Sequence, residues 1–179
     1  MIATAPSITT SVNLGVQIAS GDTEPTTSER LSFQLGTVTY AIDILKVQEI
    51  RAYEPPTRMV NAPECVKGVL NLRGIIVPVI DLRIKLGLPQ AEFTASTVTV
   101  VLNLARGVVG AVVDSVNDVV DLHPSQIKQA PHFDSPVAAH CITGIASVQQ
   151  GDAERLLMLL DIDSVLSLHV DAPVGGMLQ

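Results

Sequence analysis

A chain of 179 residues, 47% of them hydrophobic, can bury a real core in one domain or in two small, closely packed ones. A net charge of −7 argues against nucleic acid as the main partner, and an aromatic content of 3% with no Trp leaves few rings for stacking bases or sugars. Two cysteines, Cys65 and Cys141, are too few for a disulfide scaffold or a tetrahedral zinc site.

Residues 1–29 are rich in Ser, Thr, Ala and Pro with no apolar period, which predicts a disordered tail. No Lys or Arg precedes Arg30, so the charged region of a signal peptide is lacking, and apolar runs fall short of the roughly 18 residues of a membrane helix. A cytoplasmic protein without direct membrane insertion is expected. Leu31 to Leu35 and Val38 to Ile42 alternate with period two around Gly36, a hairpin; Asp43 can then cap a short turn before Glu49-Ile50-Arg51 extends. Pro55-Pro56 is a rigid turn, and Asn61 to Lys67 is predicted to form one or two helical turns ended by Gly68. Asn71-Leu72-Arg73-Gly74 sets one guanidinium on a turn. It leads into Ile75 to Ile80, a β-branched run that predicts a strand buried on both faces, with Pro78 arguing against a central place in its sheet. Asp81 caps another short helix closed by Gly87 and Pro89. Strands follow at Thr97 to Leu104, Val108 to Val113, Val116 to Leu122 and Leu156 to Ile162, with a last helical turn from Asp163 to Leu168.

Laid together, the two halves echo each other. Val47-Gln48-Glu49-Ile50 matches Val116-Asn117-Asp118-Val119, Cys65 to Val69 matches Cys141 to Ile145, and Val79 to Leu82 matches Leu159 to Ile162, all in the same order. This predicts two copies of one small β-barrel unit in which each cysteine fills the same apolar slot and each glycine ends a short helix. Charge is uneven as well: Asp43 to Lys85 holds seven bases against five acids, and Leu86 to the end three against ten, a distribution suited to meeting two different surfaces.

No catalytic constellation emerges. Nucleophile-elbow and phosphate-loop patterns are absent, and the four histidines (His123, His132, His140, His169) share no metal spacing. Asp161-Ile162-Asp163 begins like a calcium loop but lacks its later ligands, and Asp43, Asp81, Asp114 and Asp161 stand at strand ends where carboxylates cap backbone amides. Glu49 and Arg73 are the best candidates for directed contacts.

The run Tyr40 to Arg51, taken with Lys67 to Arg83, resembles the CheW family of bacterial chemotaxis coupling proteins. Val100 to Leu104, Val109 to Val119, Gln126-Ile127 before Pro131 and Thr143 to Ile145 extend the resemblance over about Leu31 to Leu166. It implies a mainly β fold: two packed five-stranded SH3-like β-barrels with a few short helices and a groove between them. The CheW-like domain is expected over residues 30–168, with a flexible tail at 169–179. It also implies a protein with no enzymatic activity and no cofactor. Such an adaptor bridges the cytoplasmic hairpin tip of chemoreceptors and the regulatory domain of the histidine kinase CheA, in the cytoplasm at membrane-associated receptor arrays. By position, Val47, Glu49, Arg73, Val98 and Val116 resemble partner-contacting residues, while Lys67, Gly68, Gly110 and Gly144 resemble positions that keep the barrels shaped for docking. Cys65 and Cys141 stand where relatives carry larger apolar residues, and Ser147 to Arg155 is longer than usual. The alternatives are a CheW-like regulatory domain of a larger scaffold, CheV or the kinase itself, and a small ligand-binding or enzymatic barrel.

Overall fold

The computed structural model describes residues 26–89, 92–132 and 140–167. Of the tails expected at 1–29 and 169–179, residues 1–25 and 169–179, with His169, lie outside the described residues, whereas Ser28 and Glu29 belong to β1 and pair with Leu122 and Asp121. Eleven strands are described: β1 (Ser28–Leu35), β2 (Val38–Asp43), β3 (Val47–Ala52), β4 (Val66–Leu72), β5 (Ile75–Asp81), β6 (Val98–Leu104), β7 (Gly107–Val113), β8 (Ser115–Leu122), β9 (Ile127–Lys128), β10 (Ile142–Gln150) and β11 (Ala153–Leu160). Two short helices, α1 (Leu82–Lys85) and α2 (Ile162–Ser167), follow β5 and β11. The fold is mainly β, as the resemblance implied.

One sheet has the order β3-β6-β7-β5-β4 and the other β8-β1-β2-β11-β10, extended by the two-residue β9. The two orders superpose term by term. β5 runs parallel to β7 as β11 does to β2. The register shifts of β3 on β6 and of β8 on β1 fall at the same place, with Val47 opposite Leu102 and Val116 opposite Phe33. The Asp81 N–H donates to the Cys65 carbonyl and the Asp161 N–H to the Cys141 carbonyl, both at 2.8 Å. The echo in the sequence is therefore a structural repeat. Its copies are not successive halves, however: the opening hairpin β1–β2 completes the barrel of the C-terminal strands, while β3 to β7 form the other barrel.

Each sheet closes in the same way. The chain beyond β3 returns to β4 through Thr57 and Val69, which exchange both backbone hydrogen bonds at 2.9 Å, and β9 returns to β10 through Lys128 and Ile145. Between the barrels lies one shared core, with Leu31, Phe33 and Ile42 from β1 and β2 against Val100, Leu102 and Val113 from β6 and β7. Smaller clusters pack separately, around Leu157 and Leu159 in one barrel and around Leu72, Val77 and Val101 in the other. Burying side chains of this kind contributes about 2 kcal/mol each, so the shared layer binds the barrels into one body.

Four local expectations are corrected. Asn61 to Lys67 is not helical: turns at Val60–Asn61 and Glu64–Cys65 lead directly into β4. Gly68 then lies inside β4 at a bulge, and Gly144 inside β10 at its equivalent, so neither ends a helix. β5 is an interior strand despite Pro78. Val69, opposite Pro78, gives both of its backbone groups to Thr57, so β4 asks nothing of Pro78, and the ladder to β7 begins only at Val79. Finally, β5 is not buried throughout: Ile75 and Ile76 are 57% and 61% exposed.

The aspartates at strand ends do cap amides. Asp43 accepts from Leu45, Asp81 from Arg83, Asp161 from Ser164, and Asp114 from Gly36 across the turn of the opening hairpin.

Candidate functional site

Glu49 and Arg73, 24 residues apart in sequence, are brought together by two backbone devices. The bulge at Gln48 sets Glu49 opposite Val101. The β4–β5 turn is a two-residue hairpin with positive φ at both central positions, 52° at Arg73 and 88° at Gly74, tied by the Asn71 side chain accepting from the Gly74 N–H at 2.8 Å. From this turn Arg73 donates to Glu49, while Arg51 lies 3.5 Å from the other carboxylate oxygen. The Arg73 side chain remains 72% exposed. Ile50 follows Glu49, and Ile75 and Ile76 follow the turn; all three are exposed, on alternating faces of their strands.

Val47, Val98 and Val116 lie elsewhere. All three are half-buried on the rim of the shared core, with Val47 and Val116 occupying equivalent places in the two barrels. The expected contact residues thus divide between a hairpin tip and the seam of the barrels.

Of the positions expected to keep the barrels in shape, Gly68 is the most constrained. Its φ is 144°, and an added Cβ would meet the Thr57 carbonyl oxygen at 2.1 Å. Gly144, its twin, would meet Ile127 at 2.9 Å and the Lys128 carbonyl oxygen at 3.0 Å, while Gly110 would meet Thr99 at 2.9 Å. Lys67 is half-buried at the β4 bulge. All four therefore sit in the strands that build or close a barrel.

The acid–arginine pair recurs on the other barrel. Asp118, the twin of Glu49, receives Arg155 at 2.9 and 3.1 Å and the Ser32 hydroxyl, with exposed Val119 and Leu156 beside them. Partial burial pushes the Asp118 carboxyl up, but the hydrogen bonds from Ser32 and Arg155 outweigh it and hold the group below its ordinary value. Its contribution to stability is full above the unfolded value near pH 4 and is lost as pH falls through the depressed folded value. Urea midpoints measured from about pH 5 down to about pH 2.5 should therefore fall less steeply for Asp118→Asn than for the parent chain; parallel curves would remove Asp118 from the acid limb.

Sequence reasoning missed the most buried cation among the described residues. Arg83, 1% exposed, holds Asp81 side-on (Nε at 3.1 Å, Nη2 at 2.9 Å) and Asp114 through Nη1 at 2.8 Å. Its guanidinium lies 5.2 Å from the Phe93 ring, which stacks on Tyr53. Hydrogen bonding to Asp81 raises its pKa further, against the downward push of burial. Arg83 follows the strand-end Asp81 by two residues, and Asp163 follows Asp161 likewise. Asp163 pairs with Lys46 at 2.9 Å, so the two points where the chain crosses between barrels carry ion pairs of opposite polarity. Among the described residues, no group of three or more His, Cys, Asp and Glu could hold a metal ion.

Residues 29–169 match the family model described as the CheW-like domain. This chain belongs to the CheW-like family. The Klebsiella aerogenes chemotaxis protein CheW is 48% identical over 139 residues, covering 78% of this chain and 81% of that protein. Its Bacillus subtilis counterpart is 35% identical over 144 residues, 79% and 88% of the two chains. The crystal structure of scaffolding protein TtCheW from Thermoanaerobacter tengcongensis aligns with a TM-score of 0.70 over 80% of this chain and 94% of that one, at 23% identity, which speaks to the fold. By family, then, the protein is a chemotaxis adaptor of the CheW type. The Ser147 to Arg155 segment forms the end of the β10–β11 hairpin, where Gln150 pairs with Ala153 around Gly151-Asp152.

Proposed function

We propose that this chain couples chemoreceptors to the histidine kinase CheA, holding the helical hairpin tip of the receptor and the regulatory domain of the kinase so that receptor state controls autophosphorylation. The observation that carries the reading is the β4–β5 hairpin tip. Exposed Ile50, Ile75 and Ile76 offer apolar area, and Arg73 offers a charged group already aimed and still accessible. Apolar contact supplies affinity there, and the ion pair fixes register. Val47, Val98 and Val116 on the barrel seam suit the apolar stripe of a helix. Gly68, Gly110, Gly144 and Lys67 act in this reading by keeping both surfaces in their mutual geometry. Among the described residues no helix is long and apolar enough to cross a membrane, so a place at receptor arrays rests on the partners.

Mixing the chain with a receptor signalling fragment and CheA, and following phosphate incorporation, tests the coupling. Kinase activity should rise only when all three are present; activity indifferent to the chain would overturn the proposal. Arg73→Ala should leave the melting temperature nearly unchanged, since its ion pair is exposed. It should weaken assembly by about 2 kcal/mol, roughly thirtyfold in Kd, if the residue is a hot spot. Unchanged pull-down of both partners would remove Arg73 from the site.

A further inference from the structure

The repeat is imperfect at one place, and the imperfection leaves a cavity. In the opening hairpin, Tyr40 pairs with Phe33; the rings stack with centroids 6.1 Å apart and 22° between planes, and Tyr40 is buried beside Leu35. Register places Val109 at the equivalent of Tyr40, Leu102 at that of Phe33, and Leu104 at that of Leu35. Aliphatic side chains thus stand where the twin holds two rings. Between the β6–β7 turn and α2 an opening of about 170 Å³ remains, walled by Leu104, Val109 and Leu166, with Ala105, Arg106 and Asp163 at its edge. An apolar cavity of about 150 Å³ accommodates one benzene-sized ring.

The mouth of the opening carries a usable positive charge. Asp163 is already engaged by Lys46 at 2.9 Å and by the Ala105 N–H at 3.4 Å. Arg106, exposed on the turn, makes no ion pair among the described residues, and its twin position holds the uncharged Thr37. We infer that this cavity is a socket for an aromatic side chain of a protein partner, with an adjacent partner carboxylate paired by Arg106. Residues 168–179 contain no Phe, Tyr or Trp. The choice of partner rests on the coupling reading; the socket itself rests on the repeat.

The probe for the socket is p-cresol, the tyrosine side chain as a free molecule, titrated into the full-length chain while methyl NMR signals are followed. Leu104, Val109 and Leu166 should shift together and saturate. Val109→Tyr should abolish the shifts, raise the melting temperature by supplying the ring, and lower affinity for either the receptor fragment or the CheA regulatory domain at least tenfold. Should that variant not fold, Leu166→Phe fills the opening from the other wall. The inference is overturned if p-cresol gives no saturable shifts, or if a filled socket leaves both partner affinities unchanged. It is also overturned if p-cresol binds only after truncation at Ser167 or in Phe133→Ala, since the chain would then occupy its own cavity. If the parent chain binds neither partner while p-cresol still saturates, the coupling reading fails and the partner named here fails with it, but the aromatic preference of the cavity stands.

Discussion

Arg83→Met is expected to destabilise the protein by about 3–5 kcal/mol, the usual consequence of removing one member of a buried ion pair. The substituted side chain fills a similar length, so the loss is not chiefly one of volume. It leaves the fully buried carboxylate of Asp81 with no cation, and Asp114 without the guanidinium that anchors the passage from β7 to β8. Phe93 loses the charge over its face as well. The measurement is the urea or guanidinium midpoint at unchanged slope. Lys46→Met is the internal comparison, because its ion pair with Asp163 is solvent-accessible and the midpoint should barely move. Equal losses for the two variants would mean that burial of the Arg83 cluster contributes nothing special.

Gly68→Ala is the second large effect. Two costs coincide there: a φ of 144°, which L side chains rarely adopt, and a backbone oxygen 2.1 Å from the new Cβ. The Thr57 carbonyl cannot retreat without breaking the pair of hydrogen bonds to Val69 that closes the barrel. Strain and overpacking together should cost about 3 kcal/mol or more. Gly144→Ala, at the equivalent closure, lacks the left-handed backbone, and its nearest obstacle is the movable Ile127 side chain, so its cost should be smaller, about 1–2 kcal/mol. Thermal denaturation of both variants decides the order; a reversal would mean that the Thr57 strand is less firmly held than its hydrogen bonds imply.

Much of this architecture is legible from side-chain pattern alone. Alternation in Leu31 to Ile42 and the aspartates after apolar runs mark strands and caps correctly, because those signals are local. The echo of Val47 to Ile50 in Val116 to Val119 announces a repeat. What it cannot announce is which strands join which barrel, since pairing of β2 with β11 is a long-range choice made by the shared core. Pro78 misleads for a related reason: its missing N–H matters only on a side where a neighbour needs it, and that depends on Thr57, which lies 21 residues away in the chain. For the site, Glu49 and Arg73 stand out as charges in apolar company. The exposure of Ile75 and Ile76 does not, because a β-branched run reads as interior whichever end of it projects past the sheet. Arg83 hides among the ordinary charges of a helix start.

The crossed connectivity also orders events as the chain is made. Strands β3 to β7 are complete once Val113 has been synthesised and can close without help from the later strands. The opening hairpin precedes them in the chain, meets β8 on its β1 side, and finds its neighbour on the β2 side only when β11 emerges. Until β6 and β7 have been made, Leu31, Phe33 and Ile42 lack the Val100, Leu102 and Val113 side chains they pack against and present an unsatisfied apolar face to solvent. The opening hairpin is thus the part of the nascent polypeptide most exposed to aggregation, and its free β2 edge is covered only by β11.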